Sequence, residues 1–224
     1  MKLRFPFIAL TILALAAGCR ESVVDTKPAA EVTDTTAMTT TTSTPVTAFQ
    51  PTPGATVGNV IKDKSKIEFV GAKVTRDHNG KFNAFDGWIE YAAGKPSRVA
   101  FQIDLGTLQA DDEKLTGHLK SADFFDVAKY PKATFTSTSL TEAAAGAAGG
   151  ATYTLKGTLD MHGVAKEVTI PVVTSVTPQG LRATSEFTIN RHDWGISYKG
   201  AADDLIKDNV LIKLDLMFPP VPAA

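Results

Sequence analysis

Apolar and polar residues alternate with a period of two along most of the chain between residues 60 and 218. Val99, Phe101 and Ile103 alternate with small or polar residues, and the same pattern recurs over residues 210–218. A strand in an antiparallel sheet buries one face and leaves the other in water, so its apolar side chains fall on every second residue. The alternation therefore predicts an all-β domain.

Turn-forming residues divide this region into separate runs. Asn79-Gly80 and His162-Gly163 are typical of tight hairpins, and similar signals recur along the chain. The runs between the turns predict eight strands, with the ranges 65–74, 82–91, 97–108, 132–140, 152–161, 166–176, 181–190 and 209–218. Eight antiparallel strands with one apolar face form a sandwich or a closed barrel, and periodicity alone does not choose between them.

Two segments depart from the alternation. Residues 111–125 carry Leu115 and Leu119 at helical spacing, which predicts a short helix across one end of the sheet. Residues 191–208 contain Trp194 and have no regular pattern, so we expect a long irregular connection there.

The first residues have the features of an export signal. Lys2 and Arg4 precede an apolar run that is too short to span a bilayer, and the run ends in Leu15-Ala16-Ala17-Gly18-Cys19. This ending resembles the lipobox of bacterial lipoproteins, and the resemblance implies a signal peptide over residues 1–18 and lipidation of Cys19. Two or more acyl chains would hold the protein stably at a membrane. A plain cleaved signal followed by a chance cysteine is the alternative.

The residues after the signal differ in composition from the rest of the chain. Threonine, alanine and proline dominate residues 19–58, where large apolar residues are scarce. Such a segment buries too little surface to offset its ordering entropy, so we predict a disordered tether over 19–58, a folded domain over 59–218 and a tail over 219–224. Arg20 is not the aspartate that retains many lipoproteins in the inner membrane, which favours an outer-membrane anchor facing the periplasm.

The composition argues against several functions. A net charge of −1 argues against nucleic-acid binding, because a surface that binds phosphates needs a surplus of lysine and arginine. The four histidines have no close zinc spacing, and we expect turn or capping roles for them rather than a metal site. The chain has no nucleophile elbow, no cysteine available as a nucleophile and no phosphate loop, so we predict neither catalytic residues nor an enzyme.

Three segments resemble the YceI-like family in the same order along the chain. The first runs from Leu119 to Val127 and continues into Tyr130-Pro131, and the second covers residues 157–166. The third, residues 189–196, reads Ile-Asn-Arg-His-Asp-Trp-Gly-Ile. The first predicted hairpin, which includes His78, also fits the family, so the resemblance covers the whole predicted domain.

The resemblance implies an eight-stranded antiparallel, lipocalin-like barrel with a short helix at one end. Members of the family are typically exported bacterial proteins, and some hold a polyisoprenoid chain in the barrel. We therefore expect a non-catalytic carrier of a long apolar amphiphile, such as a polyisoprenoid or a quinone, at the cell envelope. A ligand-free interaction barrel and a hydrolase or isomerase acting on apolar substrates stay open as alternatives.

The inward parity of the strands selects the residues expected to touch such a ligand. Arg191 and Trp194 in the long connection complete the set, and Arg191 is a candidate for contact with a polar head group. The residues predicted from the strands are Phe85, Phe101, Ile103, Phe135, Leu155, Leu159, Phe187 and Ile189.

Overall fold

A computed structural model describes residues 22–35, 49–201 and 204–220 of the chain. Its one α-helix in these residues is α1 (Glu113–Lys120), and short 3-10 turns lie at Val23–Thr26, Lys62–Lys64, Leu105–Thr107, Ala148–Gly150 and Arg191–Trp194. The strands are β1 (Glu31–Asp34), β2 (Thr56–Asn59), β3 (Lys66–Ala72), β4 (Asp77–Phe82), β5 (Phe85–Ala92), β6 (Lys95–Asp104), β7 (Leu108–Ala110), β8 (Lys132–Glu142), β9 (Tyr153–Met161), β10 (Val164–Thr177), β11 (Gly180–Asn190), β12 (Gly200–Ala201), β13 (Asp204–Leu205) and β14 (Asn209–Phe218).

The main sheet curls back on itself. Its antiparallel path runs β2-β5-β6-β8-β9-β10-β11-β14-β3-β4-β7. Only Asn83 and Ala84 separate β4 from β5, and one 3-10 turn separates β6 from β7, so the two ends of the path join. Counting β4–β5 and β6–β7 as one bent strand each gives the eight strands of a barrel, and the predicted all-β, lipocalin-like architecture is confirmed.

The short helix closes part of one end of the barrel, which we call the helix end. The carboxylate of Asp112 accepts a hydrogen bond from the Leu115 amide (2.8 Å), an N-cap that fixes where α1 begins. The helix ends at Lys120, earlier than the predicted residue 125, because the chain turns at Ser121, whose amide bonds the carbonyl of His118. Leu115 and Leu119 both line the barrel interior.

The first described segment, residues 22–35, inserts into the barrel wall. β10 pairs with β11 only through its second half, from Val173 to Thr177. Beside its first half lies β1, from Glu31 opposite Thr169 to Asp34 opposite Lys166. Ala29 forms a parallel bridge to Thr188 of β11. β1 therefore stands between two barrel strands that have separated.

The prediction of a disordered tether over residues 19–58 is wrong for residues 22–35. Val24 is buried with Val70, Ala72 and Leu211, and Lys27 pairs with Glu186 at 2.5 Å. The segment has too few apolar residues to fold alone, but here it adds backbone hydrogen bonds to open strand edges. It also buries Val24, and Val23, Ala30 and Val32 pack partly against apolar surface of the barrel. Cys19 and the predicted signal peptide lie outside the described residues.

Residues 49–58 form a second ordered part of the predicted tether. β2 pairs with β5, and the indole Nε1 of Trp88 donates to the Phe49 carbonyl (2.5 Å). The buried carboxylate of Glu90 accepts from the Thr52 amide (2.5 Å) and lies 3.3 Å from Arg98. These contacts attach the segment to the outer face of β5.

At the other end of the chain, the predicted tail begins with Pro219 directly after β14, and residues 221–224 lie outside the described part of the structure.

Candidate functional site

An apolar cavity of about 250 Å³ runs along the inside of the barrel. It reaches Ile206 and Leu119 at the helix end, and Pro96 and Tyr153 towards the opposite end, where the β5–β6 and β8–β9 connections turn. Every barrel strand contributes residues to its wall, most of them aliphatic or aromatic. Such a space suits one long, narrow apolar molecule and offers few polar groups to a hydrophilic one.

Eight of the ten residues predicted to bind a ligand line this cavity. Their contact with a ligand stays a prediction, but the structure brings them together around one space because residues of the same parity on neighbouring strands face the same side of a sheet. The eight residues are Phe101, Ile103, Phe135, Leu155, Leu159, Phe187, Ile189 and Arg191.

Phe85 and Trp194 are buried but do not line the cavity. Phe85 begins β5 just after the bend at residues 83–84 and packs within the surrounding core. Trp194 is completely buried in the 3-10 turn after β11, and its indole Nε1 donates to the Leu159 carbonyl (3.2 Å). Trp194 therefore ties the turn to β9 rather than forming cavity wall.

Four strands and the helix are missing from the predicted set, although all of them contribute residues to the wall. The alternation in β14 marks its inward face, and that signal could have added Ile212 and Leu214 to the set. Helical spacing gives the same information for Leu115 and Leu119. The additional wall residues from β3, β4, α1, β10 and β14 include Ile67, Phe69, Phe82, Leu115, Leu119, Val168, Ile170, Val172, Val210, Ile212, Leu214, Leu216 and Phe218.

Glycines in neighbouring strands make room for three phenylalanine rings of the wall. A Cβ added at any of these glycines would lie 2.1–2.5 Å from the nearest ring atom, closer than real side chains approach. Each glycine therefore lets a ring occupy the place of a missing side chain, which sets how far the ring projects into the cavity. The pairs are Phe69 with Gly80, Phe101 with Gly87, and Phe135 with Gly157.

Arg191 holds the long connection closed at the helix end. It is 4% exposed, and its Nη1 donates to the Ile196 carbonyl (2.7 Å) while its Nε donates to the Lys207 carbonyl (3.2 Å). Burial lowers the pKa of the guanidinium, and the nearby carboxylate of Asp208 partly opposes that effect. Because these donors are occupied within the protein, the geometry favours a structural clamp over the predicted contact with a polar head group.

His78 is the one histidine on the cavity wall. Its Nδ1 lies 2.9 Å from Asp111 Oδ1, and its Nε2 accepts a hydrogen bond from Arg76 Nε (3.0 Å). Burial would raise the pKa of Asp111, but the hydrogen bonds from His78 and the Asn79 amide outweigh it, so the pKa is lowered. Both ring nitrogens of His78 therefore have partners within the protein.

The other three histidines make local structural contacts. His118 lies 3.0 Å from Asp123, and His192 lies 2.7 Å from Asp208. His162 has a positive φ of 54° in the β9–β10 turn, as its predicted turn role requires, and its Nδ1 lies 2.9 Å from the Trp194 carbonyl. Among residues 22–35, 49–201 and 204–220, no group of three histidine, cysteine, aspartate or glutamate side chains is placed to hold a metal ion.

Aromatic side chains cover the cavity where α1 meets the long connection. The His118 ring stacks edge-on against Phe124 and Tyr198, with centroid distances of 5.0 and 4.8 Å. Phe124 is buried and lines the cavity, while Tyr198 is partly exposed.

The described part of the chain contains no helix long and apolar enough to cross a membrane.

An eight-stranded antiparallel barrel with a continuous apolar interior belongs architecturally to the lipocalin-like barrels. The family model described as the YceI-like domain matches residues 59–218, and the chain belongs to that family. A UPF0312 protein of Pseudomonas putida is 32% identical over 145 residues, which cover 60% of this chain and 72% of the relative. A UPF0312 protein of Shewanella denitrificans is 34% identical over 148 residues, which cover 62% and 71%.

Solved structures share the fold. BcnA of Burkholderia cenocepacia superposes with a TM-score of 0.62 at 25% sequence identity, covering 70% of this chain and 98% of that one. A domain from Saccharophagus degradans, described as a polyisoprenoid binding domain implicated in plant cell wall breakdown, superposes with a TM-score of 0.59 at 18% identity. That alignment covers 74% of this chain and 99% of the domain. The segment that contains β1 lies outside the residues matched by the family model.

Proposed function

We propose that the protein binds one long apolar amphiphile inside the barrel and carries or sequesters it at the bacterial cell envelope without catalysis. The observation that carries this proposal is the continuous apolar cavity, which is walled by every barrel strand and by α1. A barrel of eight strands is either filled by its own side chains or holds one slender ligand, and the open interior favours the second case.

The ligand class follows from the shape and chemistry of the wall. Burying a chain of about 20 carbons at about 0.8 kcal/mol per CH₂ gives an upper bound of roughly 16 kcal/mol. Association and ordering remove several kcal/mol of this, so tight binding needs no polar contact. A polyisoprenoid or a quinone tail has the required form, and the polyisoprenoid binding described for the structurally similar Saccharophagus degradans domain supports that choice.

The proposed location is a membrane surface facing the periplasm. The support is the lipobox-like sequence that ends in Cys19, preceded by a basic start and an apolar run. Export would be followed by lipidation of Cys19, and Arg20 favours the outer membrane. The barrel would then take up or release its ligand close to a bilayer.

Native mass spectrometry of the full exported chain tests the ligand proposal. We expect a stoichiometric apolar lipid that can be released and identified. Ala183 lines the cavity, so Ala183→Phe should fill the space and remove the lipid. Thr158→Phe is the matched control, because Thr158 is a β9 residue outside the cavity lining, and this variant should keep the lipid.

Two results would count against the proposal. If the wild-type chain stays free of ligand after incubation with polyprenyl lipids, the interaction-barrel alternative is preferred. If Ala183→Phe is folded and binds as much lipid as Thr158→Phe, the ligand lies outside the barrel. Turnover of a lipid ester that is lost in His78→Gln would instead favour a hydrolase.

A further inference from the structure

Two loops at the helix end pair with each other, and we call the surface that they form the flap and define it as residues 73–76, 198–201 and 204–206. β12 pairs with β13 through Gly200 and Leu205, and the Val74 amide donates to the Leu205 carbonyl (3.1 Å). Lys73 forms an antiparallel bridge to Ile206. The turn between β3 and β4 and the long connection are therefore joined by backbone hydrogen bonds.

The flap exposes two aliphatic side chains, together with part of the tyrosine that stacks against His118. Val74 is 67% exposed, Leu205 is 49% exposed and Tyr198 is 37% exposed. Among the described residues, the fourth large apolar side chain with comparable exposure is Val176, which lies near the opposite end of the barrel. Neighbouring exposed apolar residues indicate a contact surface, whereas single ones are ordinary.

The N-terminal segment approaches the domain beside this flap. Ser22 Oγ donates to Asp77 Oδ1 (2.7 Å), one residue beyond the β3–β4 turn, and Asp25 pairs with Lys207, one residue beyond Ile206. Three residue steps separate Cys19 from Ser22, and an extended chain spans at most about 11 Å over that length. A lipid on Cys19 would therefore hold the flap next to the membrane surface.

We propose that the flap is a membrane-docking surface, with the exposed side chains of Val74, Leu205 and Tyr198 entering the interfacial layer of a lipid bilayer. This inference rests on the anchor proposed at Cys19 and adds to it a defined orientation of the barrel. Two or more acyl chains supply the attachment, and the apolar flap residues supply the second contact that fixes which end faces the lipid.

The docked orientation places one end of the cavity against the bilayer. Lys73 and Ile206 belong both to the flap and to the cavity lining. An apolar ligand could then pass between membrane and barrel with little exposure to water, which avoids the cost of hydrating its chain. By sequence, the flap contains Lys73, Arg76 and Lys199 against one acidic residue, Asp204, so a surplus of positive charge adds attraction to an anionic membrane surface.

Depth-dependent fluorescence on the mature, lipidated chain tests the orientation. Lipidation converts the thiol of Cys19 to a thioether, so Val74→Cys supplies a single thiol for a polarity-sensitive dye. Val176→Cys is the matched control, because Val176 is 79% exposed at the other end. In vesicles of phosphatidylethanolamine and phosphatidylglycerol with brominated acyl chains, we expect a blue shift and several-fold stronger quenching at position 74.

The outcomes separate the docking surface from the anchor. Equal, weak quenching at both positions in a chain whose mass shows the lipid would overturn the docking surface and leave the anchor intact. A mass without lipid would show that the anchor proposal is wrong. The labelled variants, carrying Cys19→Ser, would then be mixed with the same vesicles: selective quenching at position 74 would support the surface, and no quenching would overturn it.

Discussion

Phe101 on β6 occupies the space that a side chain at Gly87 on β5 would need. The two residues are direct partners across the strands, and a Cβ at position 87 would lie 2.3 Å from Phe101 Cδ1. The backbone carbonyl of Ala100 lies 3.1 Å away on the same strand, so the added methyl has no alternative position without movement. The ring of Phe101 is therefore placed by the absence of a side chain on the neighbouring strand.

Replacing Gly87 with alanine should move Phe101 into the cavity. We expect Gly87→Ala to lower the free energy of unfolding by about 1–3 kcal/mol, the usual cost of overpacking, and to reduce the amount of bound lipid. Urea denaturation and native mass spectrometry measure the two effects. Gly117→Ala is the control, because a Cβ there meets nothing within 4 Å; it should be neutral or stabilise α1 by up to about 1 kcal/mol. Equal stability of the two variants would contradict the proposed steric role.

Residues 22–35 should contribute measurably to stability. Val24 is 2% exposed, and Val24→Ala removes the equivalent of two methylene groups from its contact with Val70 and Leu211. We expect a loss of about 2 kcal/mol in the free energy of unfolding. Val176→Ala, made at an exposed residue, should change it by less than about 0.5 kcal/mol. If both variants unfold at the same urea concentration as the wild type, the segment behaves as the disordered tether that its composition predicts.

The same segment should loosen in acid before the barrel unfolds. Hydrogen bonding to Lys207 lowers the pKa of Asp25, and hydrogen bonding to Lys166 lowers the pKa of Asp34. A carboxylate whose pKa is lower in the folded state than in the unfolded chain stabilises the folded state at pH values above its unfolded pKa, which is near 3.8 for both groups. That stabilisation is lost as the pH falls through the lower pKa of the folded state.

Amide hydrogen exchange, corrected for intrinsic rates, measures this loosening. Below pH 3.8 we expect faster exchange in residues 22–35 while β8 and β9 stay protected. Asp25→Asn with Asp34→Asn should exchange faster at neutral pH and lose the pH dependence. A wild-type segment that exchanges at the same corrected rate at pH 5 and pH 3 would show that these ion pairs do not hold it.

Arg191 should be needed for the stability of the long connection. Arg191→Lys keeps a positive charge but cannot reach the carbonyls of Ile196 and Lys207 together, so we expect a loss of about 2–3 kcal/mol in the free energy of unfolding. Arg182→Lys is the matched control, since Arg182 forms a similarly forked pair with Asp215 at an exposed position, where such pairs contribute less than about 1 kcal/mol. Similar losses in the two variants would contradict the clamp.

The local pattern of residues predicted most of the barrel strands and the inward face of the wall. It was wrong at Asn79-Gly80, which was predicted as a tight turn but lies within β4, where Gly80 pairs with Phe69. Successive side chains of any strand point to opposite faces of the sheet, so the alternation of apolar and polar residues around Phe101 and Ile103 predicts directly which side chains face the cavity. The turn at His162-Gly163 and the position of α1 follow from equally local preferences. These features need only a few neighbouring residues to specify them, and eight of the ten predicted ligand residues line the cavity for that reason.

Contacts between residues that are far apart in sequence determined the features that the sequence did not predict. Residues 22–35 fold because β10 and β11 separate and leave edges open, and that separation is invisible in the composition of the segment itself. Trp194 lies away from the cavity because its indole bonds a carbonyl 35 residues earlier. The flap combines two loops more than 100 residues apart in sequence. Each of these depends on which surfaces the closed barrel brings together, and a short window of sequence contains no information about the partner.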